Sequence, residues 1–257
     1  MVRWLLISPA IAALSFAPAA TLHRASRTIM GTLCEVQIYD TDAARAEAAS
    51  TRALDEMARV DRLLSNYDAA SELSALNREA AKAPVRVSDE LFAFVRDSRA
   101  YYDATDGTFD PTVGPLVRAW GFFTLRPSKP GDAAIADARA RSGFDKVRLD
   151  PAARTVFYTV VGVEFDPGGI GKGYAADRAV EVLRRAGVDA ALVSAGGSTL
   201  NAIGHPPDRA GWRIAIKDPA DAAHPYAYVE LRDASLSTSG VSENAVRDGS
   251  RRYALLR

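Results

Sequence analysis

Residues 164–174 read EFDPGGIGKGY, and the prediction of the fold starts from this stretch. The run before it, residues 155–163, is rich in β-branched residues and predicts a strand. The run after it repeats apolar residues every three or four positions, which predicts a helix. Those apolar positions are Ala175, Ala179, Val182, Leu183 and Ala186.

The turn between the strand and the helix has the composition of an anion site. Glycines allow positive φ and close approach of a ligand, and a helix N-terminus carries roughly half a positive charge, which suits a phosphate. Lys172 adds a full positive charge. Asp166 adds a carboxylate suited to a sugar or base hydroxyl or to a metal. A tight turn with a solvated lysine explains the same residues, and the turn alone does not decide between the two interpretations.

Two familiar phosphate motifs do not fit the turn. A P-loop needs glycine five residues before its Gly-Lys pair and Ser or Thr after it, but Asp166 and Gly173 hold those places. A dinucleotide fingerprint needs Gly-x-Gly-x-x-Gly, and Gly169-Ile170-Gly171 is followed by a glycine at the wrong spacing. The turn therefore belongs to another kind of site.

Composition narrows the function classes. The chain has 257 residues with 32 basic and 32 acidic side chains, so no net field attracts nucleic acid, which disfavours a nucleic-acid partner. The single cysteine, Cys34, excludes an internal disulfide and a multi-cysteine zinc site. The three histidines lack ligand spacing, so the metal we expect is a hard, oxygen-bound ion such as Mg²⁺.

The N-terminus predicts a secretory signal peptide over residues 1–19. Arg3 precedes a mostly apolar run, and the small residues at 17–20 suit cleavage near Ala19. A plain apolar N-terminal segment is the alternative. No later run approaches ~20 apolar residues, so we expect no stable membrane span and an exported, periplasmic protein.

The first half of the chain predicts one strand, three helices and a long loop. Residues 28–39 alternate as a half-buried strand with Cys34 in the core. A long amphipathic helix follows at 41–65, then a short helix capped by Ser71 and a third helix at 88–102 capped by Ser88. Residues 105–122 have no clean period but carry glycines, prolines, aromatics and acids, which is typical of an ordered functional loop.

The second half predicts mostly short strands. A helix near 133–141 precedes a hairpin of residues 145–149 and 155–165. The buried strand at 190–194 would form a crossover unit with the strand before the turn, bringing Gly196-Gly197-Ser198 to the same cleft. Further short strands are predicted at residues 212–217, 226–231, 234–238 and 253–256. The fold class is α+β, with mixed sheets and helices in a single domain over residues 20–257.

Several separated motifs, taken in order, resemble the FAD:protein FMN transferases of the ApbE-like family. They are MGT at 30–32, Tyr67 with SELSALN at 71–77, DGTFDPTVGPL at 106–116 with WGF at 120–122, DPGGIGKGY at 166–174 with Asp177, GG at 196–197 and STSG at 237–240. The resemblance covers most of the chain from residue 28 to residue 240. It implies the ApbE-like flavin transferase fold.

The resemblance also implies a function. Such proteins are exported, Mg²⁺-dependent enzymes that split the pyrophosphate of FAD, transfer FMN to a threonine hydroxyl of a partner protein and release AMP. The FAD contacts it implies are Met30, Tyr67, Thr108, Phe109, Asp110, Asp166 and Lys172. The backbone carbonyl of Gly169 is the implied metal ligand. No general base is implied.

Two departures from the family pattern qualify these expectations. Ser198 stands where the family often has an acid. The family continues into a His-x-x-Asp-Pro-Arg-Thr-Gly segment and an Asp/Thr pair of metal ligands, whereas residues 251–257 read RRYALLR. We therefore expect a fold that is incomplete at the C-terminus and transfer that is impaired. FAD hydrolysis to FMN and AMP, and flavin binding without turnover, are the alternative functions.

Overall fold

The computed structural model describes residues 19–124, 126–221, 223–240, 245–249 and 251–254. The predicted signal peptide lies outside these residues except for its last position, and so do residues 255–256 of the last predicted strand. The α-helices are α1 (Ala43–Leu64), α2 (Glu72–Glu79), α3 (Asp89–Ala104), α4 (Gly114–Ala119), α5 (Asp132–Ala140) and α6 (Gly171–Arg185). The strands are β1 (Thr21–Ile29), β2 (Thr32–Asp40), β3 (Val85–Arg86), β4 (Val147–Asp150), β5 (Thr155–Tyr158), β6 (Ala191–Ala195), β7 (Thr199–Ile203), β8 (Trp212–Lys217), β9 (Pro225–Leu231), β10 (Ser235–Ser237), β11 (Ala245–Asp248) and β12 (Arg251–Ala254).

The strands form separate antiparallel sheets. The largest has the order β1-β2-β6-β7-β10, and a smaller one has the order β3-β5-β4. Two further pairs are β8-β9 and β11-β12. The protein thus combines helices with several antiparallel sheets, which confirms the predicted α+β class. Across the described ranges, no helix is long and apolar enough to cross a membrane.

The main core lies where α1 and α6 pack together against the large sheet. The side chain of Cys34 on β2 is fully buried there, as predicted. The predicted apolar stripe of α1 is also buried, since an amphipathic helix places residues three and four apart on one face. Its buried members are Ala46, Ala49, Ala53, Met57, Val60 and Leu64.

The predicted helix caps are also present. The hydroxyl of Ser71 accepts a hydrogen bond from the backbone N–H of Ser74 at 3.0 Å, at the start of α2. The hydroxyl of Ser88 accepts from the N–H of Leu91 at 3.2 Å, at the start of α3. Each bond satisfies one of the N–H groups that a helix start leaves unpaired.

The prediction of one strand over residues 28–39 was wrong. The chain forms a hairpin instead, with β1 and β2 joined by a two-residue turn at Met30 and Gly31. Both turn residues have positive φ, 54° and 69°, which matches the twist of the flanking strands. The turn was missed because methionine rarely takes positive φ.

The predicted crossover unit was also wrong. β5 ends at Tyr158 rather than near residue 165, and it belongs to the small sheet, whereas β6 pairs with β2 and β7 in the large one. The chain turns after β5 at Gly162, where φ is 85°. In addition, the loop predicted over residues 105–122 contains the short helix α4, which has Pro115 in its first turn.

Candidate functional site

The carboxylate of Asp166 is the least satisfied polar group of the glycine-rich turn. Asp166 is only 6% exposed, and its Oδ1 accepts from the backbone N–H of Gly168 at 2.6 Å. Its Oδ2 is buried and has no hydrogen-bond partner among the described residues. A buried, unpaired carboxylate oxygen is energetically unfavourable and is expected to face a ligand.

The start of α6 leaves backbone N–H groups available beside that carboxylate. A short 3₁₀ turn, Pro167–Gly169, leads into α6, and Ile170 at the N-cap position makes no side-chain capping bond. Such an uncapped N-terminus favours an anion. The glycines of this turn do not take positive φ. They leave space instead, since a Cβ at Gly173 would meet no atom within 4 Å.

The central loop is joined to Asp166 through the backbone. The N–H of Asp166 donates to the carbonyl of Pro111 at 2.6 Å, and Val113 forms a parallel bridge with Glu164. In the same loop, Oδ1 of Asp110 accepts from both the N–H and the hydroxyl of Thr112, at 2.8 and 2.6 Å. The structure therefore brings Asp110 and Asp166 into one neighbourhood.

The other predicted loop residues, Thr108 and Phe109, are held by Thr105. The N–H of Thr108 donates to the Thr105 carbonyl at 2.9 Å, and the N–H of Phe109 donates to the Thr105 hydroxyl at 3.1 Å. The Phe109 ring packs edge-on against Tyr101, with the ring centroids 6.3 Å apart. These bonds give the loop a defined conformation next to Asp110.

Lys172 contacts the second glycine-rich turn. Its Nζ donates to the hydroxyl of Ser198 at 2.8 Å, so the two turns meet as predicted although the predicted crossover is absent. No carboxylate lies within ion-pairing distance of Lys172 in the described part of the chain. Its positive charge is therefore available to an anionic ligand.

The hairpin turn at Met30 lies against this second turn. The N–H of Gly196 donates to the Leu33 carbonyl at 2.9 Å, and a Cβ on Gly196 would come within 2.5 Å of the Thr32 hydroxyl. The N–H of Met30 donates to Oδ2 of Asp61 at 2.9 Å. Glycine at position 196 thus permits close packing between the two turns.

Charged side chains near the same two turns affect the pKa of the Cys34 thiol. Burial raises the pKa of the Cys34 thiol, and the negative charge of Asp61 raises it further. The charge of Lys172 opposes this shift in pKa. Contacts place Met30 and Lys172 in one part of the site, since Lys172 bonds Ser198 in the turn that packs against the Met30 hairpin.

Tyr67 lines a separate pocket of about 370 Å³. It is 63% exposed, and its ring centroid lies 5.0 Å from that of Phe123. Arg118 stacks over Phe123 at 4.2 Å and pairs with both oxygens of Glu164, at 2.5 and 2.6 Å, which raises the pKa of Arg118. An exposed aromatic ring beside a pocket can stack on a flat ligand.

The sequence analysis missed two residues that support Asp166. Asn66 and Asn77 both donate from their side-chain amides to the carbonyl of Phe165, at 2.9 and 3.0 Å. Asn77 was noticed only as part of a motif. Its role depends on contacts with a residue 88 positions away in the chain, which no local pattern indicates.

The described residues do not by themselves form a metal site. They contain no group of three or more His, Cys, Asp and Glu side chains that could hold an ion. The unpaired Oδ2 of Asp166 is one oxygen suited to Mg²⁺ or to a hydrogen-bond donor, and Gly169 offers only its backbone carbonyl. Mg²⁺ prefers about six oxygens in octahedral geometry, so these two groups would be a minority of its ligands.

Together, the fold and this site define an α+β protein whose described residues leave a helix N-terminus without a side-chain cap beside a buried carboxylate oxygen without a partner. A profile of the ApbE family matches residues 30–256, and the chain therefore belongs to the ApbE family. It is 32% identical over 244 residues to the FAD:protein FMN transferase of Treponema pallidum, covering 89% of this chain and 67% of that protein. It is 34% identical over 224 residues to the Salmonella typhimurium protein of the same name, covering 84% and 63%. The chain thus spans about two thirds of the length of these relatives.

Solved structures show the same fold. The ApbE protein of Thermotoga maritima matches with a TM-score of 0.84 and 27% identity, over 91% of this chain and 75% of that one. The flavin transferase ApbE of Vibrio cholerae matches with a TM-score of 0.78 and 28% identity, over 90% and 74%. The predicted ApbE-like fold is therefore confirmed.

Proposed function

We propose that this protein binds FAD, transfers its FMN part to a threonine hydroxyl of a partner protein and releases AMP. Membership of a family whose relatives are named FAD:protein FMN transferases supports the reaction class. The single structural observation that supports the site is the buried, unpaired Oδ2 of Asp166 beside the uncapped start of α6.

In this proposal each part of FAD meets a different part of the site. The pyrophosphate lies near the start of α6 and the Nζ of Lys172, where backbone N–H groups and a full charge attract it. Asp166 accepts a hydrogen bond from an N–H or O–H group of FAD. Tyr67 stacks on the flavin ring, and Met30 contacts it from the hairpin turn. The loop of Thr108, Phe109 and Asp110 encloses the ligand beside Asp166.

The proposed reaction is a displacement at phosphorus. The threonine oxygen forms a bond to the phosphorus on the FMN side, and the bond from that phosphorus to the bridging oxygen breaks. AMP leaves with the bridging oxygen, and the threonine proton is transferred to a base. Lys172 and the α6 N–H groups stabilise the charge that develops on the leaving phosphate.

Mg²⁺ dependence is part of the proposal. An ion bound with FAD would neutralise pyrophosphate charge, and the protein would offer it the carbonyl of Gly169 and, if not otherwise paired, Oδ2 of Asp166. Because these protein groups are few, we expect the protein alone to bind Mg²⁺ weakly and the protein with FAD to bind it more tightly. Isothermal titration of MgCl₂ with and without FAD measures the difference.

The experiment that tests the function supplies FAD and MgCl₂ with a threonine-containing flavin-acceptor domain. We expect the acceptor to gain the mass of one FMN less one water on a threonine, with AMP released in equal amount. An acceptor of unchanged mass, with soluble folded enzyme, contradicts the transfer. AMP release without acceptor indicates FAD hydrolysis, and FAD binding without AMP release, indifferent to Mg²⁺, indicates a binding protein.

We also propose that the protein is exported to the periplasm after removal of residues 1–19. The support is the sequence pattern alone, a basic residue followed by an apolar run and small residues. N-terminal sequencing of protein expressed from the full reading frame and recovered from the periplasm tests this. A cytoplasmic protein that keeps its N-terminal residues contradicts it.

A further inference from the structure

Asn77, near the end of α2, bonds both backbone polar groups of Phe165, the residue before Asp166. Its side-chain oxygen accepts from the N–H of Phe165 at 2.9 Å, and its amide donates to the carbonyl of the same residue at 3.0 Å. The oxygen also accepts from the hydroxyl of Tyr158 at 2.9 Å. The amide further approaches Oδ1 of Asn66 at 3.2 Å, while the amide of Asn66 donates to Phe165.

We propose that Asn77 is a positioning residue that aims the Asp166 carboxylate at FAD. The inference rests on the proposed function, because it takes Asp166 as an FAD contact. Asn77 does not touch the ligand in this proposal. It acts through Phe165, the residue directly before Asp166 in the chain.

The chemistry of the contact requires an amide. An amide side chain offers one acceptor oxygen and two donor hydrogens, so it can pair with the N–H and the C=O of one residue at once. Asn77 uses its oxygen for Phe165 and Tyr158 and its nitrogen for Phe165 and Asn66. A carboxylate would lose both donated bonds, and an aliphatic side chain would lose all four.

The hydrogen bonds that Asn77 makes to Phe165, called the clamp below, are anchored in the core. Tyr158 is 1% exposed, and burial raises the pKa of its hydroxyl, so this group remains a hydrogen-bond donor at neutral pH. The Phe165 side chain is fully buried and packs against Phe94 and Phe144. Asn77 therefore connects a rigid core to the peptide before Asp166.

The carboxylate of Asp166, which follows the residue held by the clamp, explains why such anchoring is needed. Oδ2 of Asp166 is buried and unpaired, so without restraint the side chain or its loop would move to satisfy it. The contacts that oppose that movement are Asn77 and Asn66 on the preceding residue, the carbonyl of Pro111 on the Asp166 N–H, and the Gly168 N–H on Oδ1. Asn66 bonds only the carbonyl of Phe165, whereas Asn77 bonds both its N–H and its carbonyl.

The first test is the affinity for FAD of Asn77→Ala, measured by fluorescence titration. We expect the Kd to rise at least about tenfold, because several hydrogen bonds around the Phe165 peptide are lost together. Asp40→Ala is the matched control. It removes three side-chain hydrogen bonds that lie just before the start of α1. Asn66, which contacts Asn77, follows the other end of this 22-residue helix, and the two ends are about 33 Å apart along the helix axis. We expect the control to melt at lower temperature with its FAD affinity unchanged.

The second test is a pH profile of Asn77→Asp, which also serves if Asn77→Ala does not fold. A protonated aspartic acid can donate one hydrogen bond and accept another, as asparagine does, whereas the ionised form can only accept. We expect the ratio of variant to wild-type Kd to be within about threefold at low pH and to exceed about tenfold at high pH. The variant and the wild type share the other ionisable groups near position 77, which are Tyr67, Arg78, Arg118, Arg141, Tyr158, Glu164 and Asp166.

The outcomes separate this inference from the proposed function. If the wild type does not bind FAD, both fail. If Asp166→Ala binds FAD normally, Asp166 is not an FAD contact, so this inference fails while transfer of FMN is still tested by the mass of the acceptor. If Asp166→Ala weakens binding but folded Asn77→Ala and Asn77→Asp bind as the wild type does at every pH, the positioning role alone is wrong. A purely structural role predicts that Asn77→Asp and Asp40→Ala lose melting temperature alike with no pH-dependent change in the Kd ratio, and this result also overturns the inference.

Discussion

The helices α1 and α6 pack side by side, yet their N-termini differ. At α1, the side chain of Asp42 caps the helix by accepting from the N–H of Arg45, and Asp40 pairs with the Arg45 guanidinium at 2.8 and 2.9 Å. At α6, the N-cap residue Ile170 makes no side-chain bond, and a buried oxygen of the nearby Asp166 has no partner in the described part of the chain. One helix start is satisfied by the protein, and the other is the proposed site of the ligand.

This difference separates stability from function. Capping bonds and ion pairs at α1 stabilise the fold and leave nothing for a ligand to bind. In the proposed function, the open groups at α6 lower stability slightly and gain their partner when an anion binds. Substitutions at α1 should therefore change melting temperature, and substitutions at α6 should change FAD affinity.

The largest expected effect is that of Asp166→Ala on FAD binding. A hydrogen bond to a charged group contributes about 1.5–3 kcal/mol, so the Kd should rise roughly tenfold to a hundredfold. Folding stability should change little, because the variant also removes an unpaired buried oxygen. Fluorescence titration and thermal melting measure the two quantities. An unchanged Kd would show that this helix start is not the ligand site.

The next effect is that of Asp40→Asn on stability at the closed helix start. The hydrogen bonds from Arg45 hold the pKa of Asp40 below its usual range, so this carboxylate stabilises the fold above its unfolded-state pKa. That stabilisation is lost as pH falls through the lower, folded-state pKa. We expect Asp40→Asn to unfold about 2 kcal/mol more easily at neutral pH.

A pH series of denaturant unfolding gives the matching check. As pH falls through the acid range, the difference between wild type and Asp40→Asn should shrink, because protonation removes the same charge from the wild type. A difference that stays constant with pH would contradict the role of the Asp40–Arg45 pair. The FAD affinity of the variant should equal that of the wild type.

How far the sequence predicts these regions depends on whether their contacts are local. The buried stripe of α1 and the caps at Ser71 and Ser88 were predicted, because periodicity and capping involve residues a few positions apart. The hairpin turn at Met30 was not predicted because methionine rarely takes positive φ. The sheet assignment of β5 was not predicted because β5 pairs with the distant strand β3. The turn at residues 166–173 was recognised by composition, but its glycines provide space rather than positive φ.

A smaller effect is expected when the charge at the open helix start is removed. Lys172→Met keeps most of the aliphatic stem but loses the ammonium group near the proposed pyrophosphate position. We expect the Kd for FAD to rise about tenfold at low salt and the difference to decrease with added salt, because salt screens the lost attraction. Ser198→Ala is the control, since it removes the hydroxyl partner of Lys172 but keeps the charge. An equal loss in both variants would assign the effect to position rather than charge.

The smallest expected effect is that of Asp42→Ala, which removes the cap of α1 and makes its start resemble that of α6. Loss of an N-cap side chain costs about 1 kcal/mol, which should lower the melting temperature by a few degrees. The uncapped α1 should not gain affinity for FAD, because a helix start alone lacks a counterpart to the Asp166 carboxylate and the Lys172 charge. Melting curves with and without FAD test both statements. If FAD raised the melting temperature of Asp42→Ala by more than that of the wild type, an open helix start would be sufficient for binding. The starts of α1 and α6 would then differ in their caps and in nothing else that matters for the ligand.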